Sequence, residues 1–130
     1  MREINFRAWH IKEQFMDSAW MIDWEHRMVC HSKHNISDLD DCILMQFTGR
    51  EDKNGKKVFE SDIVKNWAGE IGIIKFHSSW AAFYFSLHIG HNEDRKLTRM
   101  IGSRMVYNDW DKYEVIGNIY EQPDILNPPE

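Results

Sequence analysis

Leu44-Met45-Gln46-Phe47-Thr48-Gly49, then Asp52-Lys53-Asn54-Gly55-Lys56-Lys57, then Val58-Phe59-Glu60-Ser61-Asp62-Ile63-Val64 form a cassette with no helical period. Its first block is a short extended segment. The charged middle turns at Asn54-Gly55, where Asn-Gly supplies the positive φ angles that a tight hairpin needs. Phe59 then leads into a second polar turn, Glu60-Ser61-Asp62, and a further strand at Ile63-Val64-Lys65. The cassette therefore predicts strands folded about turns.

Upstream, residues 3–9 alternate, with Ile4, Phe6 and Ala8 on one face and Asn5, Arg7 and Trp9 on the other. That is a strand with one apolar face. Residues 15–29 fit neither period. Phe15, Met16, Ala19, Trp20, Ile22 and Met28 could line a short helix, but Trp24 breaks the stripe. Residues 30–42 are polar and read as a loop. Downstream, Ala68-Gly69-Glu70 is a turn, Ile71 to Phe76 and Ala82 to Leu87 are strands, and His91 to Lys96 is a charged break. Residues 97–112 show no definite pattern, and Tyr113 to Asn118 is a last strand. Asn127-Pro128-Pro129 cannot continue a helix or a central strand. Short strands at close spacing predict a mainly β fold with a minor α+β part. Residues 59–120 have the length of an SH3-like β-barrel. The expected organisation is a single domain over 1–130, with N-terminal strands and an irregular region at 1–58, the barrel segment at 59–120, and a tail at 121–130.

The 130 residues are enough for one core without disulfide or metal support. The net charge of -5 opposes non-specific capture by nucleic-acid backbones. Two cysteines, Cys30 and Cys42, are too few for a disulfide scaffold. No apolar run reads as a signal peptide or membrane span, so a cytoplasmic protein with reduced thiols is expected.

Three blocks stand in order: Met1-Arg2-Glu3-Ile4-Asn5-Phe6-Arg7-Ala8-Trp9, the central cassette, and Val115-Ile116-Gly117-Asn118-Ile119-Tyr120-Glu121 followed by Pro123. Together they resemble the YopX family of small phage and prophage proteins. The resemblance implies a mostly β fold, an SH3-like barrel with an irregular N-terminal part, and a phage or prophage source. It carries no established catalytic residues, so none is transferred. Two positions depart from the pattern: His10 stands where an Asp is expected, and Ser61 where a Gly is usual. Ser is poor at positive φ, so Ser61 predicts a turn that does not need it. The motif residues read as structural, with Phe6, Ala8, Phe47, Ile63, Val64, Ile116, Ile119 and Tyr120 facing a core. Thr48-Gly49, Asn54-Gly55 and Gly117-Asn118 sit at turns or bulges. Asp62, Asn118 and Glu121 are the candidates for a shared polar site.

Several constellations bear on chemistry. Cys30, His31, His34 and Cys42 put four zinc-type donors within 13 residues. They lack the paired short gaps of structural zinc sites, and no metal is expected. His77, His88 and His91 flank an aromatic strand. Ser78 and Ser79 follow His77, but no nucleophile elbow surrounds them, and no P-loop or dinucleotide fingerprint is present. The expectation is therefore no catalytic residue, no cofactor and no enzyme. For nucleic acid, Trp67, Trp80, Phe83 and Tyr84 offer stacking surfaces. Lys65, Lys75, Arg95, Lys96, Arg99 and Arg104 offer cations. For protein recognition, Trp20, Met21, Ile22 and Trp24 form a compact apolar group, joined by Trp80. A non-enzymatic accessory protein of the bacterial cytoplasm follows, binding a host or phage protein or another copy of itself. Nucleic-acid binding is the alternative.

Overall fold

Short strands separated by tight turns run through the whole computed structural model, which describes residues 3–31, 36–87, 98–100 and 112–126. The chain divides into two compact units, Met1–Phe47 and Thr48–Glu130. Among the described residues no helix is long and apolar enough to cross a membrane.

In the first unit, Phe6–His10 (β1), Phe15–Asp23 (β2), Met28–His31 (β3) and Ile36–Asp38 (β4) form an antiparallel meander. Cys42–Glu51 (β5) pairs with the free side of β1, placing His10 opposite Cys42. The four-residue loops after β1 and β2 end on Gln14 and Arg27, both at positive φ (56° and 53°). The Gln14 N–H donates to the His10 carbonyl at 2.8 Å, and the Asp23 carboxylate accepts the His26 N–H at 3.0 Å. Ala8, Ala19 and Val29 are fully or almost fully buried, with Phe6, Ile22, Leu39, Cys42 and Leu44 packed on them.

Most of the described residues before 58, expected as strands with an irregular region, are strand. Residues 15–29 are strand and turn, and a bulge explains why neither period fitted. Ala19 faces His31 and Met21 faces Cys30, leaving Trp20 as the extra residue. One extra residue flips the inward and outward positions beyond it. The described residues of 30–42 are strand and 3-10 turn where a loop was expected. Cys30 and His31 end β3, and β4 lies at the sheet edge. Leu39–Asp41 is a single 3-10 turn capped by the Asp38 side chain, which accepts the Asp40 N–H at 2.9 Å. The segment is polar because an edge strand faces water on its open side.

β5 runs on into the second unit, where its end neighbours Lys57–Phe59 (β6), giving the strand order β4-β3-β2-β1-β5-β6. The other sheet contains Asp62–Lys65 (β7), Ile71–His77 (β8), Ala82–Leu87 (β9), Thr98–Met100 (β10) and Glu114–Asn118 (β11). Its order is β10-β9-β8-β7-β11. Both ends of that order are edges, so a closed barrel over 59–120 is not seen among the described residues. Val58, Val64, Ile74, Phe85, Tyr113 and Val115 make the core of this unit. Gly72 is required on β8: a Cβ there would lie 2.5 Å from the Ser86 carbonyl oxygen and 2.6 Å from Phe85 Cζ. Ile116 is the extra residue of a second bulge, between Val115 opposite Val64 and Gly117 opposite Ile63. Val115 therefore takes the core place, and Ile116 is half-buried.

Two turn readings change. At Asn54-Gly55 only Gly55 has positive φ (79°). The turn is instead built by buried Asp52, whose Oδ1 accepts the N–H groups of Asn54 and Lys56, each at 2.9 Å. Ser61 does occupy positive φ, at 71°. Its N–H donates to the Ile74 carbonyl at 2.8 Å and its carbonyl accepts from Ile119 at 3.1 Å, which holds it there.

Candidate functional site

The bulge at Trp20 sends two successive side chains outward. Trp20 is 61% exposed, Met21 45%, and Trp24, in the following turn, 63%. Ile4, ahead of β1, is 65% exposed. With Asn5, Phe6, Ala19 and Ile22 they line an open concavity of about 520 Å³ within the first unit. Trp20 does not hang free: its indole N–H donates to the His31 carbonyl at 2.9 Å. A held aromatic ring loses little rotamer freedom when a partner covers it. Carboxylates stand around the patch, with Glu3 next to Ile4, and Asp23 and Glu25 on either side of Trp24. The Asp23 carboxyl sits below the usual carboxylate range, chiefly because the His26 backbone N–H and then its ring donate to it.

Behind this surface the same unit gathers five polar side chains that are far apart in sequence. The strand register brings them together: His10 faces Phe15 across β1–β2 and Cys42 across β1–β5, while Ser37 faces Val29 across β3–β4. His31 Nδ1 is 3.1 Å from Asp17 Oδ2, and His31 Nε2 is 3.3 Å from Ser37 Oγ. Ser37 Oγ is also 3.3 Å from His10 Nδ1, which lies 3.6 Å from Cys42 Sγ. The His10 ring stacks on Phe15 at 4.0 Å and meets His31 edge-on at 4.5 Å. Burial pushes the Cys42 thiol up, with help from the charges of Asp41 and Asp38, against a smaller opposing hydrogen bond from Ser37. Of the Cys30, His31, His34 and Cys42 set, His31 and Cys42 join this chain of contacts. Cys30 is buried on β3, and His34 lies outside the described residues. Among the described residues no three His, Cys, Asp or Glu side chains are gathered to hold a metal.

In the second unit Trp80 is half-exposed on the β8–β9 turn, stacked on His77 at 3.8 Å and edge-on to Tyr84 at 5.7 Å. Ser78 and Ser79 are exposed turn residues. Trp67 is exposed, edge-on to Tyr113 at 5.7 Å, with the Lys112 ammonium 5.9 Å from its ring centre. Arg95, Lys96 and Arg104 lie outside the described residues, as do His88 and His91, and Arg99 falls on β10 where only the backbone is described. Asp62 and Asn118 are cross-strand neighbours, but their side chains serve turns. Asp62 accepts the Phe59 N–H at 2.8 Å, and Asn118 accepts those of Tyr120 and Glu121 while donating to the Glu121 carboxylate.

The sequence matches the YopX family, described as YopX protein, over residues 4–127. Two crystal structures share the fold. Protein EF1440 from Enterococcus faecalis aligns with a TM-score of 0.62 at 20% identity, covering 97% of this chain and 99% of that one. Protein yopX from Bacillus subtilis aligns with a TM-score of 0.52 at 13% identity, covering 97% and 98%. Comparison with curated protein sequences gives no match.

Proposed function

The chain belongs to the YopX family, and from that premise we propose that it is a phage or prophage accessory protein that binds another protein in the bacterial cytoplasm. In this reading the whole chain acts as one YopX-like domain, its second unit being the SH3-like part. It works by recognition, without turning over a substrate. The observation that carries this is the exposed group Ile4, Trp20, Met21 and Trp24 around one concavity. Clustered exposed Trp and Met with polar neighbours are the make-up of binding hot spots. The test is capture from host lysate by tagged full-length protein, at low and high salt, beside the Trp20→Ser/Trp24→Ser variant. One protein retained at high salt and lost with the variant supports the reading; equal capture by the variant removes the patch from it.

A second reading, nucleic-acid binding, is favoured by exposed Trp67 and Trp80 in the second unit. It predicts recovered nucleic acid that disappears steeply as salt rises, and loss of binding when Arg95, Lys96, Arg99 and Arg104 are neutralised.

A further inference from the structure

We propose that Ser37 is a nucleophilic serine, headed by the relay Asp17–His31–Ser37, that accepts an acyl group from an activated carboxylic ester. The proposal does not rest on the Trp20 patch, although the His31 carbonyl holds the Trp20 indole N–H.

The direction of each hydrogen bond follows from which atoms can donate. An ionised Asp17 carboxylate can only accept, so the hydrogen between it and His31 Nδ1, 3.1 Å apart, is the imidazole's. That tautomer leaves His31 Nε2 as an acceptor. With the Cys42 thiol protonated, as its burial favours, the serine proton is not drawn to Cys42 and can fill the contact from Nε2 to Ser37 Oγ, at 3.3 Å. The serine O–H therefore points at a base, and the base is fixed by a carboxylate on its far side, which is how a hydroxyl is made nucleophilic. The burial gradient fits the roles. The Asp17 and His31 side chains are 9% and 1% exposed, where water does not compete for their hydrogen bonds. Ser37, on the edge strand β4, is partly buried and less enclosed than either. The 3.3 Å separation is long for a hydroxyl hydrogen bond, as such contacts often are before a substrate is bound. His10 Nδ1 also lies 3.3 Å from Ser37 Oγ.

The step balances without a further reactant. As Ser37 Oγ attacks the ester carbonyl carbon, its proton passes to His31 Nε2. The tetrahedral carbon then expels the alkoxide, which takes that proton back from His31. One O–C bond forms to Ser37 and the original ester C–O bond breaks, with no change of oxidation state. The products are acylated Ser37 and a free alcohol.

The experiment treats full-length protein with p-nitrophenyl acetate, follows nitrophenolate release, and maps acetylation by mass spectrometry. Exposed Ser18, Ser78 and Ser79 are internal controls in the same molecule. Acetylation of Ser37 about a hundredfold faster than at these serines is expected, a typical contribution from a positioned base. Asp17→Asn and His31→Gln should each cut that rate sharply. Because those variants could unfold the sheet, the native protein is also compared with the same protein in urea, where the preference for Ser37 should vanish. The proposal is overturned by no acetyl group on Ser37, by Ser37 reacting no faster than the exposed serines, by modification confined to Cys42, or by a preference that survives urea.

Discussion

Ser61 adopts a backbone angle that serine resists. At φ 71° its Cβ crowds the carbonyl oxygen, a strain of about 1–2 kcal/mol, part of which glycine would return as greater freedom of the unfolded chain. Ser61→Gly should therefore raise stability by about 0.5–1 kcal/mol, read as a higher urea midpoint at unchanged slope. Residue identity alone pointed the other way, since Ser at a usual Gly position suggested an ordinary turn. What the residue name does not carry is the pair of hydrogen bonds to Ile74 and Ile119 that hold the angle in place. Cys42 gives a second test. With its thiol raised by burial and the neighbouring carboxylates, alkylation should stay slow until the pH passes above the ordinary thiol range. A folded-state pKa above the unfolded one means a stabilising contribution present below that range and lost as pH rises through it. A rate at pH 8 equal to that of a free thiol would refute this.

Two turns in the second unit are built to one plan. In 52–56 and 66–70 an Asx residue opens the turn and a glycine stands fourth at positive φ. In both, the Asx Oδ1 takes the N–H groups two and four residues on. Asp52 does more, since its Oδ2 accepts the Val115 N–H at 2.9 Å. Asp52→Ala would take the acceptor from the buried Val115 N–H and from two N–H groups of an exposed turn, and should cost about 2–3 kcal/mol by chemical denaturation, with Asp52→Asn costing less. Gly72→Ala should cost about 1–3 kcal/mol, because the new methyl meets Phe85 and the Ser86 backbone. Strand positions from 43 onward were largely legible, since alternation and glycine turns bracket each one. β11 was read as a strand, but the core place given to Ile116 belongs to Val115, and β2 was not read as a strand at all, both for one reason. The bulges at Trp20 and Ile116 break the parity that a period-2 reading relies on.

Over the whole molecule, what can be read from sequence depends on whether a site is local. Trp20, Met21 and Trp24 are neighbours in the chain, so their grouping was legible; one bulge exposes Trp20 and Met21, and the turn after β2 exposes Trp24. Trp24→Ser should change stability by no more than about 0.5 kcal/mol while weakening protein capture; a larger loss of stability would mean the ring is part of the fold. The Asp17–His31–Ser37 relay was not legible, because five strands must pair in register before those side chains, His10 and Cys42 meet. The contact from Asp52 to Val115 also joins distant parts of the chain, across 63 residues. During synthesis at about 5–20 residues per second, the Asp52 carboxylate waits roughly 3–13 s for its partner to be made. Until then β7 lacks β11 along one edge, and the hydrophobic face completed by Tyr113 and Val115 stays open to solvent. The newborn protein thus passes through a sticky interval whose length is set by the ribosome, and slower codons after residue 65 would lengthen it.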